Sequence, residues 1–320
     1  MLGRSESGSA LFKQWPPLPS RWQSVALAVL LLAVDGRTTA AAFCRESLES
    51  QSSGPCVPNP GVAFLTWERN CMTYRFNDQF FMRMPRLTEA AVRKIFNTSF
   101  MTWADVDCGG RKPFFVEQFA GVTATNNAEF LYDVVNESIV AARTRAEWSA
   151  LKDHDANALA LTLLWHDKNT GQILDVDMEL NTGAGTFNDC VAFPCSLQMI
   201  DLQNTVTHEG GHLLGLGHST VAGSTMEAST QSNMEVSKRS LEADDRAGYC
   251  ALMLPEFTCS GTKCTCPAPP IVSSKTVTHT CNCRTVGTQS VTGSTGMLAG
   301  AGALALAAGR WRRRQRRRTG

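Results

Sequence analysis

Eleven consecutive residues, His208 to His218 with the sequence HEGGHLLGLGH, constrain this chain more than any other feature. His208 and His212 are four residues apart, so on an α-helix both imidazoles project from one face and can reach one ion. Asp201 is a suitable N-cap, and Gly215 suits the end of the helix because glycine enters the left-handed conformation at little cost. The chain can then turn back, which makes His218 available as a third nitrogen ligand.

This arrangement leaves one coordination position for water. Three protein ligands plus water form the open site of a catalytic zinc, whereas four protein ligands form a closed structural site. Glu209 follows His208 directly and can touch that water without being a ligand itself. The sequence therefore predicts that His208, His212 and His218 bind Zn²⁺ and that Glu209 is the catalytic general base.

The motif resembles the zinc-binding pattern of the metzincin proteases at every fixed position. Met226, in GSTMEAS, lies eight residues after His218, where matrixins have the methionine turn beneath their metal. The residue directly after the third histidine, Ser219, is the type found in matrixins, whereas astacins and adamalysins have an acidic residue at this position. Matrixins usually have proline soon after the turn methionine, but this chain has Glu-Ala-Ser, so the resemblance does not define the primed-side specificity pocket.

The resemblance extends from about residue 60 to 255 and is strongest over 172–255. It implies an α+β catalytic domain with a mixed twisted sheet, an active-site helix, a methionine turn and a C-terminal helix. The segment SLEADDRAGYCALMLP (240–255) resembles the LxxDDxxGI segment that closes matrixin domains, and we expect its helix to begin at Ser240. Asp244 and Asp245 lie where that family uses acids to brace the methionine turn.

Local patterns predict the other elements. A helix is expected from Thr88, its N-cap, to about Trp103, with an apolar stripe at three- and four-residue spacing that is typical of core packing. Strands are predicted within 63–76 and 112–119, with two more around a polar turn in 157–181. FLYDVV (130–135) is a candidate short strand, and 141–152 a helical turn or two.

The last of these strands alternates apolar residues with Asp175, Asp177 and Glu179, which favours a half-buried strand with an acidic face in water. Alternatively, these acids form a structural calcium site, since matrixins carry calcium nearby. Matrixins also bind a structural zinc. Part of its ligand set resembles His154, Asp155 and His166 of this chain, but a full set of ligands is missing. We expect an extended substrate to pair with a strand edge within 172–181.

Charge argues against a nucleic-acid partner. The chain carries 30 basic and 29 acidic residues. Excluding the four basic and two acidic residues of 1–42 and the seven arginines of 310–320 leaves 19 basic and 27 acidic residues, a net charge of −8. An acidic body of this kind is unsuited to binding phosphate backbones.

The twelve cysteines and both ends of the chain indicate export. So many cysteines without a repeated CxxC pattern favour disulfides, with Cys71–Cys108 and Cys190–Cys195 as candidate pairs. Residues 1–42 contain an eleven-residue apolar run followed by Ala40-Ala41-Ala42, the layout of a secretory signal. The catalytic domain is then expected over 43–256, followed by a Cys-, Thr- and Pro-rich linker over 257–292.

Residues 293–320 contain the apolar run MLAGAGALALAAG and a cluster of arginines. This end resembles bacterial sorting signals of the myxosortase type, with Cys281 or Cys283 as the retained cysteine, which implies contact with the membrane before processing. An ordinary single-pass anchor is the alternative. The sequence has no PRCGxPD motif, the cysteine switch of matrixin propeptides, and so does not indicate how latency would be controlled.

The sequence thus predicts a secreted or surface-retained zinc endopeptidase, a monomer that acts on protein or peptide substrates. The competing hypothesis is a non-catalytic, metal-binding adhesin or scaffold of the same fold. An intact Glu209 argues against it, because binding alone needs no general base.

Overall fold

The computed structural model describes residues 43–49, 62–113, 115–152, 154–230, 234–253, 266, 268–273 and 276–281. All of them belong to one unit, Ala42–Gly320. The predicted signal peptide (1–42) and sorting segment (293–320) lie outside these residues, as does much of the predicted linker (257–292). No helix among the described residues is long and apolar enough to cross a membrane.

The described residues form four α-helices and ten strands. The helices are α1 (Glu89–Ala104), α2 (Arg145–Ala150), α3 (Leu202–Leu214) and α4 (Ala243–Leu252). The strands are β1 (Cys44–Arg45), β2 (Cys71–Asn77), β3 (Val116–Thr123), β4 (Ser138–Arg143), β5 (Ala160–Asp167), β6 (Ile173–Asn181), β7 (Thr186–Asn188), β8 (Met199–Asp201), β9 (Leu216–Gly217) and β10 (Val277–Cys281).

Six of these strands form the main sheet, in the order β10-β5-β6-β4-β2-β3. Strands β6, β4, β2 and β3 pair in parallel, whereas β5 is antiparallel to both β6 and β10. The parallel pair β2 and β3 is joined through α1, the kind of crossover that parallel neighbours require. The mixed sheet with its helices confirms the predicted α+β class.

Helix α1 forms as its sequence predicts. The Thr88 side chain accepts a hydrogen bond from the Ala91 amide at 3.2 Å and caps the helix. All five residues of the predicted stripe are buried: Val92, Ile95, Phe96, Phe100 and Trp103. The indole of Trp103 also donates to the Thr207 carbonyl at 2.8 Å, which fixes α1 against α3. The stripe is therefore core packing.

Two predictions for the strand now labelled β6 are wrong. All nine of its residues are buried, so its acidic face does not lie in water. It is also not an edge strand, because β5 pairs with one side of it and β4 with the other. Alternation alone could not reveal this, since the acids are covered by hydrogen-bonding side chains from neighbouring strands.

The segment FLYDVV (130–135) forms no strand, contrary to the prediction. The Asn136 side chain donates to the Leu131 carbonyl at 2.8 Å and accepts from the Leu131 amide at 2.7 Å, which closes a local loop. Asp133 within that loop has a φ of 63°, in the left-handed region, and this interrupts an extended backbone. Strand β4 begins only at Ser138.

The disulfides differ in part from the prediction. Cys190–Cys195 forms as expected. Cys71 pairs with Cys266 and Cys108 pairs with Cys250, so the proposed Cys71–Cys108 bond is wrong. The partners lie far along the chain, where sequence spacing carries no information. Part of the expected linker also joins the sheet, as β10.

Candidate active site

The two histidines at helical spacing lie on α3, which begins and ends as predicted. The Asp201 carboxylate accepts from the Asn204 amide at 2.7 Å and caps the start of the helix. Gly215 ends it in the left-handed conformation, with φ 105°. The chain reverses there, runs through the short strand β9 and brings His218 back toward α3. The turn thus places all three histidines on one side of the helix end.

The three imidazoles meet through their Nε2 atoms. His212 Nε2 lies 3.2 Å from His208 Nε2 and 3.2 Å from His218 Nε2. His208 Nδ1 donates to the Thr225 carbonyl at 2.6 Å, and His212 Nδ1 donates to the Leu216 carbonyl at 2.8 Å. Because a carbonyl only accepts, these partners assign the proton to Nδ1 and leave the Nε2 lone pairs directed at a common point.

Burial keeps the imidazoles neutral. Removal from water lowers the pKa of His212 to about 4 and lowers the pKa values of His208 and His218 well below their usual range. The positive charge of Lys238 and the neighbouring histidines lower the pKa of His208 further. Neutral imidazoles are the form that binds a metal, so the donor set and its protonation fit Zn²⁺. Among the described residues, only these three form a cluster able to hold a metal ion.

Glu209 is buried beside the triad, with 1% of its surface exposed. The Thr162 hydroxyl of β5 donates to its carboxylate Oε2 at 2.7 Å. A hydrogen bond to one carboxylate oxygen restricts rotation of the group and therefore fixes the direction in which the other oxygen points. Glu209 is therefore held in place by strand β5 as well as by its own helix.

The segment around Met226 packs directly beneath α3. Met226 is buried, and a Cβ placed on Gly211 would collide with its Sδ atom. The Asp245 carboxylate accepts from the amides of Thr225 at 2.7 Å and Met226 at 3.0 Å. Since the Thr225 carbonyl is the acceptor for His208, Asp245 orients the His208 imidazole through one intervening residue.

The profile of the matrixin family matches residues 66–253. The chain belongs to the matrixin family. No curated protein matches the sequence in a search for relatives. Membership points to a metalloprotease with a protein or peptide substrate, and matrixins normally bind a catalytic zinc.

The matrixin helix α4 begins three residues later than predicted. It spans Ala243–Leu252, and Glu242 and Asp245 form a reciprocal capping box at its start. The Ser219 hydroxyl donates to Asp244 at 2.6 Å. Asp244 thus contacts the residue after His218, and Asp245 contacts the backbone of Thr225 and Met226.

The acids of β6 are bonded to protein groups. Asp175 accepts from the Ser138 hydroxyl at 2.5 Å, and Asp177 accepts from the Ile139 amide and the Trp165 indole, each at 2.9 Å. Structural calcium at this place therefore stays a prediction without support from the described residues.

The last acid of β6, Glu179, is buried in an ion pair with Arg143 and lies 2.5 Å from His154 Nε2. His166 Nε2 contacts the Thr280 hydroxyl at 3.0 Å instead. His154 and His166 thus have different partners, and the described residues do not assemble the structural zinc set that the resemblance brought to attention.

Sequence reasoning missed two residues near the triad. Thr162, the partner of Glu209, is a lone polar residue in the apolar run ALALTLLW, which is the only signal that singled it out. Lys238 is 1% exposed, and its ammonium donates to the Glu227 carbonyl. Its neighbours, Ser237 and Arg239, resemble a surface segment, so nothing in the sequence indicated a buried cation.

Proposed function

We propose that this matrixin is a secreted or surface-retained zinc endopeptidase that hydrolyses peptide bonds. The observation that carries the proposal is the convergence of three neutral imidazoles through Nε2, with a buried carboxylate beside them. His208, His212 and His218 would hold Zn²⁺ and leave a position open. The ion, when bound, supplies a Lewis acid and lowers the pKa of a water molecule toward neutrality.

The chain's own residues then act on protons and position. Glu209 accepts a proton from the attacking water and afterwards donates it to the amine of the leaving product. The Thr162 hydroxyl orients the Glu209 carboxylate during both transfers. Met226, the methionine of the expected Met-turn, supports the floor of the site, and Asp245 holds the backbone that orients His208.

Localisation and assembly are proposed on more general grounds. The disulfides Cys71–Cys266, Cys108–Cys250 and Cys190–Cys195 are compatible with an oxidising, extracellular environment. We propose a monomer with no nucleic-acid partner, in keeping with the net charge of −8 outside the two ends. Membrane contact is proposed for the C-terminal segment before processing.

The test compares the purified full chain with its Glu209→Gln variant, which keeps the shape of the side chain and removes the base. Cleavage of casein and of a diverse peptide library is measured together with zinc content. The proposal predicts about one zinc in both proteins and a loss of cleavage of at least a hundredfold in the variant. Zinc binding without cleavage by the unaltered chain would reject the enzyme and favour the non-catalytic surface protein.

A further inference from the structure

Strand β10 lies outside the matrixin match, which ends at residue 253, yet it completes the main sheet. Val277–Cys281 pairs antiparallel with β5, and the register places Val277 opposite Asp167 and Cys281 opposite Leu163. The segment therefore occupies five successive positions on the outer edge of β5. It binds there mainly through its backbone, as an added peptide strand would.

This edge is the one beside the catalytic groups. Thr162 of β5 touches Glu209, and β10 pairs with β5 up to Leu163, one residue away. The opposite edge of β5 is taken by β6. Of the described strands, β5 thus offers one edge for a peptide near the triad, and the chain's own segment lies on it.

Several contacts hold the segment in place. The disulfide Cys71–Cys266 ties the chain to β2 eleven residues before β10 begins. The Asp133 amide donates to the Val272 carbonyl at 3.0 Å, and the ring of His279 lies 4.8 Å from that of Trp165. A covalent tether of this length gives the segment an effective concentration on the order of millimolar at the edge. A diffusing peptide at micromolar concentration competes poorly with it.

We propose that Val277–Cys281 is a built-in competitor of the substrate, which occupies the peptide-pairing edge of β5 and limits access to the active site. The inference rests on the proposed peptidase function and adds to it a means of latency. Because pairing uses backbone groups, the segment and an extended substrate exclude each other at the same positions. If the segment is paired nine-tenths of the time, the apparent affinity for substrate falls about tenfold.

The ladder identifies which residues to change. The Lys168 amide donates to the Thr276 carbonyl at 2.9 Å, so the backbone groups of Thr276 point toward β5. In an antiparallel ladder every second residue does so, and the amides of Thr278 and Thr280 therefore also point toward β5. Proline at both (Thr278→Pro with Thr280→Pro) removes two ladder donors. The matched control is Val277→Pro, because the Val277 amide faces away from β5 and proline is tolerated at such edge positions.

The first readout is cleavage of a fluorogenic peptide by the zinc-loaded full chain. The double-proline variant should show a kcat/KM about ten times that of the unaltered chain, through a lower KM at similar kcat, whereas Val277→Pro should change little. An unchanged kcat/KM in a double variant that keeps its circular dichroism spectrum would overturn the inference. If that variant does not fold, Cys71→Ser with Cys266→Ser cuts the tether instead, and the same increase is expected.

The second readout does not depend on catalysis. A fluorescein-labelled peptide of residues 275–281, with Cys281→Ser, is titrated by anisotropy into chains that carry Glu209→Ala. If the peptide binds the double-proline chain at least tenfold more tightly than the chain without the prolines, the edge of β5 is normally occupied, as proposed. Equal affinity for the two chains would overturn the inference. Preferential binding together with no cleavage by any zinc-loaded chain would reject the peptidase function while leaving the occupied edge intact.

Discussion

Replacing Gly211 with alanine tests how the Met226 segment packs beneath α3. The new Cβ would collide with Met226 Sδ and would lie 2.8 Å from Trp103 Cζ2. Trp103 is fully buried and bonded to Thr207, so the strain falls on Met226. Overpacking costs about 1–3 kcal/mol, and two contacts below 3 Å place this case at about 2–3 kcal/mol. Helix propensity offsets about 1 kcal/mol of that cost. We expect a net loss of about 1–2 kcal/mol, or about 2–8 °C in Tm for a domain of this size.

The matched control is Gly210→Ala in the same helix turn. Its Cβ would meet Trp103 Nε1 at 3.3 Å, a tight contact that small adjustments relieve at a cost below the same helix-propensity gain, so we expect a Tm between the original value and about 4 °C above it. Displacement of Met226 also moves the neighbouring carbonyl that orients His208, so Gly211→Ala should weaken zinc binding about tenfold. Thermal melts of the metal-free proteins and competition with a zinc chelator measure both. Equal stability and equal zinc affinity for the two variants would refute the packing argument.

Three further predictions follow from single contacts. Thr162→Val removes the hydroxyl that orients Glu209 and should lower kcat about tenfold with KM and zinc content unchanged; an unaltered kcat in steady-state assays would contradict this role. Asp245→Asn replaces one of two acceptor oxygens with an NH₂ group, so at least one buried backbone amide loses its acceptor. Urea melts should show a loss of about 1–3 kcal/mol in the free energy of unfolding. Burial raises the pKa of Asp175 from 3.8 to about 6, so the folded state binds its proton more tightly than the unfolded state. Its contribution to stability is present below about pH 4 and is lost as pH rises through 6. In melts between pH 4 and 8, the loss of stability should be smaller by about 2–3 kcal/mol in Asp175→Asn than in the unaltered chain. The remaining loss comes from Asp177 and Glu117, because burial raises their pKa values too; a variant with the original pH dependence would assign the Asp175 contribution to another group.

The elements that were predicted correctly are those specified by neighbouring residues. Helix α3 begins at an Asp cap and ends at a left-handed glycine, and both signals lie within the helix sequence itself. The stripe of α1 likewise repeats at a spacing that only a helix converts into one face. Cys190–Cys195 closes a short loop, so proximity along the chain was sufficient.

The predictions that failed depended on partners distant in sequence. The acids of β6 resemble a solvated face until Ser138 and Trp165, from other strands, cover them. Cys71 bonds to Cys266 across 195 residues, a pairing that no local pattern records. Strand order also decides which edge is open, and β10 comes from a segment whose composition resembled a linker.

The candidate site divides in the same way. The motif specified the three histidines and Glu209 because helix geometry and one turn bring them together. Thr162 bonds to Glu209, and the charge of Lys238 lowers the pKa of His208. These two residues approach from a strand and a later turn, so only the folded structure reveals them.

The most direct test of the central claim is a zinc titration of the metal-free full chain, followed by its rate of peptide cleavage. Cleavage should be absent after chelation, should rise in proportion to added zinc and should reach its plateau at one zinc per chain. The rise should disappear when His218→Ala removes the proposed third ligand, which the turn after Gly215 brings to the site. Cleavage that persists in the metal-free chain, or that stays absent when one zinc is bound, would contradict the account.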